Sequence, residues 1–166
     1  MNIVKAKMED STYILSLIKQ CVEVMNRRGN DQWDEYYPNM DVINDDIESG
    51  DLYILKDNHH IQGIITLNDK QEKEYLDIQW EYSEGRQLIV HRLAISPNYQ
   101  GRGLGDKLMQ FAEEKARELG YDSIRLDTYV KNKKAIYFYE ARDYIKRGNL
   151  YFSHRKDPFI AFEKKL

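Results

Sequence analysis

The chain has almost no cysteine: Cys21 is the single one among 166 residues. An intramolecular disulfide is therefore excluded, and Met1 is not followed by the basic and apolar regions of a secretory signal. Both point to a reducing, cytoplasmic compartment. Long apolar runs are missing too. Segments such as 88–90 and 135–139 fall far short of the roughly 20 residues that cross a bilayer, so no membrane partner is expected. Charge of one sign is not in excess, with 25 Lys and Arg against 28 Asp and Glu and a net charge of −3. Such a balance gives no global pull toward nucleic acid or anionic lipid, and any anion site must be local. The basic pairs Arg27-Arg28, Lys133-Lys134 and Arg155-Lys156 are too scattered to form a nucleic-acid stripe. No internal repeat or low-complexity tract is present. What remains is a globular composition, 42% apolar and 32% charged, of a length that suits one domain over residues 1–166.

Apolar residues recur at three- and four-residue spacing in Ile14, Leu17, Ile18, Cys21, Val22 and Met25, which predicts a helix that starts at Asp10 or Ser11 and ends near Arg27. Cys21 lies on that apolar stripe and reads as core. A polar, aromatic segment, 30–39, reads as a loop, and Val42, Ile43 and Ile47 predict a short helix stopped by Gly50. Residues 2–6, 52–56 and 60–67 read as strands, and 68–85 as a long charged connection with part of a strand. Residues 87–95 are apolar on both faces, as in a strand covered on both sides. A helix with Leu104, Leu108, Phe111, Ala112, Ala116 and Leu119 inward, and a strand over 123–129, complete a βαβ unit with parallel strands. A helix over 132–142 and strands at 144–146, 150–153 and 159–163 follow. The alternation of helices and strands predicts an α/β or α+β fold with a mixed sheet.

The turn inside the βαβ unit reads Gln100-Gly101-Arg102-Gly103-Leu104-Gly105-Asp106-Lys107. Helix-start amides lack intrahelical partners and carry the positive end of the dipole, which suits an anion. Glycine lets phosphate oxygens approach those amides, and Arg102 adds a charge-assisted contact. The spacing disfavours two common ligands. Asp106 and Leu108 stand where a nucleotide-triphosphate loop needs Gly and Ser or Thr, and Asp106 also replaces the last glycine of the dinucleotide fingerprint. Residues 132, 135, 136 and 139 share one helical face, so Asn132, Ala135 and Tyr139 either line a ligand or serve as cap and core.

These residues resemble the GNAT superfamily of acyl-CoA-dependent N-acyltransferases. The family's turn reads Gln/Arg-x-x-Gly-x-Gly/Ala, and residues 100–105 match it at every specified position. Residues 90–97 look like the family's fourth strand, and Asn132-x-x-Ala135-x-x-x-Tyr139 looks like its later cofactor-side helix. One departure is Asp143-Tyr144, where the family usually has Gly-Phe. The resemblance implies a mostly antiparallel central sheet with one parallel βαβ unit and helices on both faces. It also implies acetyl-CoA as acyl donor, held by Gln100, Gly101, Arg102, Gly103, Leu104 and Gly105, with its arm along Leu93, Ala94 and Ile95 and with Asn132, Ala135 and Tyr139 beside it. Tyr139 would protonate the leaving thiolate, and an N–H near Leu93 or Ala94 would hold the oxyanion.

An acceptor amine must lose a proton before it attacks, because a free alkylamine has a pKa of about 10. The candidate bases are His91, Glu81 and Glu84. Trp33, Tyr36, Tyr37, Trp80 and Tyr82 are candidate walls of an acceptor pocket, or packing within a lid. His59 and His60 have no Cys at ligand spacing, so no metal is expected, and neither is a covalent nucleophile. The reading is an N-acetyltransferase for a primary amine of a small molecule or peptide, with a homodimer left open. The alternative is a non-catalytic acyl-CoA sensor or protein-interaction module.

Overall fold

The computed structural model describes residues 1–58 and 60–166. His59, one of the two histidines weighed as metal ligands, lies outside the described residues. In chain order the elements are β1 (Asn2–Lys5), α1 (Ser11–Arg27), α2 (Met40–Glu48), β2 (Leu52–Asp57), β3 (His60–Asn68), β4 (Gln87–Ile95), α3 (Leu104–Glu118), β5 (Ser123–Tyr129), α4 (Lys133–Glu140), β6 (Ile145–Leu150) and β7 (Phe159–Lys165). The strands hydrogen-bond in the order β1-β2-β3-β4-β5-β7-β6. Pairing is parallel between β4 and β5, and antiparallel for β1 with β2, β2 with β3, β5 with β7 and β6 with β7. This is the mixed, mostly antiparallel sheet that the resemblance implied. Among the described residues no helix is long and apolar enough to cross a membrane.

The chain divides into two compact units interleaved in sequence, residues 1–67 with 90–112 and residues 68–89 with 113–166. In the first unit the stripe read from α1 is buried, with Ile14, Leu17, Ile18, Cys21 and Val22 packed against Ile43 and Ile47 of α2 and Ile54 and Ile64 of the strands. Asn39 caps α2, its Oδ1 accepting from the Val42 amide at 3.1 Å. Neighbouring residues of a strand face opposite ways, and β3 uses both faces. Ile64 joins the α1–α2 core, while the side-chain position of Gly63 is filled by Ile95 and by Leu108 of α3. Helices therefore cover both faces of this part of the sheet.

The second unit holds a core of Tyr75, Ile78, Ile89, Tyr129, Leu150, Phe159 and Ala161. Two details differ from the sequence reading. Residues 144–146 and 150–153 were expected as separate strands, but 145, 146 and 150 belong to the single strand β6 and 151–153 to no strand; β6 is interrupted by a bulge where the register shifts between Lys146 and Gly148. In the connection 68–85 only Asn68, the last residue of β3, is in a strand. The connection carries a short 3-10 turn, Lys73–Asp77, that buries Tyr75.

A Cβ at residue 63 would lie 2.6 Å from Ile95 Cδ1, 3.1 Å from Leu108 Cδ1 and 3.1 Å from the Ala94 carbonyl oxygen. Gly63→Ala is therefore expected to cost about 1–3 kcal/mol through overpacking. Thermal denaturation checks this: at about 2–4 °C per kcal/mol the melting temperature should fall by several degrees, and an unchanged value would contradict the tight contact.

Candidate active site

Gly101 and Gly103 both sit in the left-handed region, at φ +76° and +74°, which only glycine adopts without strain. A Cβ at either position would meet no protein atom within 4 Å, so the bareness of this turn is not demanded by packing. Gly105 differs, because it belongs to the first turn of α3. The first helical hydrogen bond runs from the Lys107 amide to the Gly103 carbonyl at 3.1 Å, so the amides of Leu104 and Gly105 precede the ladder and face the helix start without intrahelical acceptors.

The end of β4 is held by side chains of the turn and of α1. The Gln100 amide nitrogen donates to the Ile95 carbonyl at 3.0 Å, and the Cys21 thiol donates to the same oxygen at 3.4 Å. Burial pushes that thiol up to about 12, so it stays protonated. Arg102, expected to reach a phosphate, lies back on its own turn, donating to the Asn98 carbonyl at 3.2 Å with its guanidinium 5.2 Å from the centre of the Tyr99 ring. The side chain is exposed and can swing outward.

Along β4 the parallel ladder with β5 covers only three residue pairs, from Gln87 with Ser123 to Ile89 with Arg125. Past Ile89, Arg92 takes φ +32°, an unusual value for a non-glycine residue that breaks the strand's pleat between His91 and Leu93. The side chain of Arg92 explains how that conformation is held. Its Nε and one terminal nitrogen each donate to Asp46 of α2 at 2.7 Å, and its other terminal nitrogen donates to the Tyr37 hydroxyl at 2.9 Å. Thr66 donates to the same carboxylate at 3.0 Å. Leu93, Ala94 and Ile95 follow directly, and His91 is half-buried.

The expected acceptor-pocket residues divide by environment. Trp33 is buried in the α1–α2 core, a packing role that leaves it no open face. Tyr37 is tied to Arg92, and Tyr36 is 74% exposed beside it. In the second unit, Trp80 donates from its indole to the Tyr75 carbonyl at 2.9 Å, and the Arg125 guanidinium lies 4.2 Å from its ring centre. The rings of Tyr82 and Trp80 thus lie under cations of the sheet, Tyr82 under Arg147 and Lys165. Glu81 is ion-paired with Arg147 at 2.6 Å, and Glu84 is exposed.

Asn132 caps α4, its Oδ1 accepting from the Ala135 amide at 3.2 Å. Tyr139 is buried, its ring centre 5.8 Å from that of Phe162 and 5.9 Å from that of Tyr144. Burial first, and then the charge of Asp127, push its phenol well above the ordinary tyrosine value. The departure at Asp143 has a physical resolution. Asp143 itself adopts φ +66°, the conformation a glycine would take, and Tyr144 is buried with its hydroxyl donating to Glu113 at 3.2 Å.

The sequence reading passed over Asp127. This residue is half-buried in the middle of β5 and accepts from the Tyr75 hydroxyl at 2.6 Å. Burial raises its pKa to about 6, with Glu72 and Glu74 adding to the rise and the Tyr75 hydrogen bond opposing it. The available signal was a carboxylate between Leu126 and Thr128 in a segment read as a strand.

A mixed sheet with one short parallel pair, and a bare glycine turn leading into the intervening helix, define the class of acyl-CoA-dependent acyltransferases. The chain belongs to the acetyltransferase (GNAT) family, whose model matches residues 17–144. It is 26% identical over 138 residues to the uncharacterized N-acetyltransferase YesJ of Bacillus subtilis (strain 168), covering 82% of this chain and 77% of that one. A GNAT-family acetyltransferase from Streptococcus agalactiae 2603 superposes with a TM-score of 0.86 at 26% identity, covering 99% of this chain and 95% of that one. The acetyltransferase yncA of Salmonella typhimurium, solved with its cofactor acetyl-CoA, shares the fold with a TM-score of 0.72 at 15% identity, covering 100% of this chain and 94% of that one.

The Arg92–Asp46 pair is only 13% and 11% exposed. Removing one partner of a buried pair leaves the other charge uncompensated at a cost of about 3–5 kcal/mol. Asp46→Ala is therefore expected to lower the urea midpoint by about 1–2 M. A shift below about 0.3 M would show that this pair does not hold β4.

Proposed function

We propose that the chain transfers an acetyl group from acetyl-CoA to a primary amine of a small molecule or peptide, by direct attack of the amine on the thioester. The observation that carries this reading is the turn of Gly101 and Gly103, left-handed and bare, at the mouth of α3. The yncA structure, solved with acetyl-CoA on the same fold, supports it. A cytoplasmic location belongs to the same proposal.

When bound, acetyl-CoA supplies an activated acyl carbon and a thiolate leaving group. The main chain of residues 101–105 would hold its pyrophosphate, because helix-start amides offer donors and a positive dipole end. The main chain of Leu93, Ala94 and Ile95 would pair with the pantetheine arm. Just after the broken pleat at Arg92, an N–H of Leu93 or Ala94 would donate to the oxyanion. Tyr139 would give its proton to the departing sulfur. Its raised pKa suits that role, since the phenol remains protonated throughout the neutral range. His91 remains a candidate base, and the exposed Glu35 and Tyr36 suit a cationic acceptor.

Two variants test the reading. Gly103→Asp puts a negative charge into the cradle, and calorimetric titration should show acetyl-CoA affinity falling at least tenfold while Gly103→Ala, with strain but no charge, loses less. Tyr139→Phe should lower turnover about 100-fold, the usual scale for a general acid, with acetyl-CoA affinity kept. The assay is thiol release over a panel of spermidine, lysine, kanamycin and a short free-amino-terminus peptide. Tight acetyl-CoA binding without thiol release from any of them would favour the sensor instead.

A further inference from the structure

We infer that Asp127 takes the proton from the acceptor amine, and that Tyr75 is the positioning residue that aims its carboxylate. The inference rests on the acetyl-transfer reading and names a base that the sequence did not offer.

The second unit holds two buried carboxylates, Glu113 and Glu163, and a half-buried one, Asp127, and their partners differ in kind. Glu163 receives Arg147 Nε at 2.8 Å, with Arg125 Nε at 3.6 Å, and Glu113 receives Arg142 at 3.2 Å and Lys164 at 3.1 Å. Each is neutralised by cations, as a structural carboxylate must be. Asp127 receives a phenol instead, from Tyr75 at 2.6 Å. A phenol steers one carboxylate oxygen without cancelling the charge, which leaves the other oxygen able to accept a proton.

The register adds a second argument. Asp127 pairs with Ala161, a member of the core that contains Tyr75, while the neighbouring Leu126 pairs with Phe162, against which Tyr139 stacks. Directly paired residues share a face and successive ones alternate, so Asp127 and Tyr139 belong to opposite faces of β5. The ladder from β4 ends at Arg125, so Asp127, two residues further along β5, stands where the parallel pairing has stopped. Base and acid thus lie on different faces, yet Tyr139 still senses the Asp127 charge.

The proton balance closes. Asp127 accepts one proton from the ammonium through water and becomes a neutral acid. The nitrogen lone pair forms the N–C bond, and the C–S electron pair leaves on sulfur, which takes the Tyr139 proton. The second nitrogen proton restores Tyr139, and Asp127 returns its own to solvent.

Burial sets the Asp127 titration first, then the Tyr75 hydroxyl and the carboxylates of Glu72 and Glu74, while Arg125 acts on Tyr75 and the Asp127 charge acts on Tyr139. The base works ionised, so kcat/KM should fall as pH drops through about 6. Asp127→Asn should lose at least 100-fold at pH 7.5 and lack that limb, with acetyl-CoA affinity unchanged and Asp127→Glu recovering part of the rate. Tyr75→Phe removes a bond that favours the ionised form, so the limb should move to higher pH. The surface variant Glu72→Gln removes repulsion and should move it lower, which keeps the test open should Asp127→Asn not fold. The measurement is thiol release with whichever amine of the panel the wild type accepts. Asp127→Asn within about threefold of wild type, or limbs unmoved in both Tyr75→Phe and Glu72→Gln, overturns this assignment alone. A wild type that accepts none of the amines overturns the transfer reading and the assignment with it.

Discussion

A main-chain amide that a sheet or helix leaves unpaired must find another partner or stay in water. The organisation of this protein follows from where it leaves such groups. The β4–β5 ladder stops after three residue pairs, and the α3 ladder starts only at Lys107. Between those points run the strand and turn whose backbone groups suit an extended ligand with an anionic end. The side chains around them act mainly to prevent the chain from closing these gaps itself. Arg92, bound twice by Asp46, fixes a positive φ that an ordinary strand would relax. Gln100 ties up the Ile95 carbonyl, and the two left-handed glycines turn the chain without adding side chains. A conformation costing about 1–3 kcal/mol at Arg92 persists because the buried ion pair over-determines it.

The second unit meets the opposite problem, with too many charges for its interior. Glu163 is fully buried and accepts from the amides of Glu81 and Tyr82 as well as from Arg147. One carboxylate therefore organises the end of the long connection, while Arg125 lies on Trp80 and donates to Gln71 and to the Tyr82 carbonyl. The connection carries little regular structure, but its polar contacts to β5 and β7 define it as firmly as a strand would. Tyr75 is held in the same way, through its own carbonyl and ring against Trp80, which is why its hydroxyl can hold a fixed direction toward Asp127.

Much of this was legible in the sequence wherever the signal is local. The α1 stripe, the glycine turn and the βαβ order depend on residues a few positions apart, and periodicity or spacing captures them. The roles of the aromatics depend on partners far along the chain. Trp80 faces Arg125, Tyr82 faces Arg147 and Lys165, and Tyr37 meets Arg92; nothing in segments 30–39 or 68–85 announces those encounters. Asp127 was missed for a related reason. A carboxylate inside a strand looks like any polar residue at an edge until the residue opposite it is known, and Tyr75 lies 52 positions away. The Asp143-Tyr144 departure shows the reverse case. There the sequence looked irregular, but Asp tolerates the left-handed conformation well enough to keep the turn.

The buried phenol of Tyr139 poses a difficulty whose solution lies in the same burial. A free tyrosine at about 10 is a weaker acid than a free thiol at about 8.5, so protonating a thiolate in water would run uphill by about 2 kcal/mol. Raising the Tyr139 pKa further would worsen the mismatch if only the phenol were desolvated. Desolvation acts on both groups, however, because it disfavours whichever form is charged. Cys21 shows the size of the effect within this chain: burial alone takes its thiol up to about 12. A sulfur expelled into an equally dry place would gain basicity as fast as Tyr139 loses acidity. On the proposed reading the transfer would then be brought back toward balance at the moment the C–S bond breaks. The proton would stay with Tyr139 until that moment, which is the timing a general acid requires.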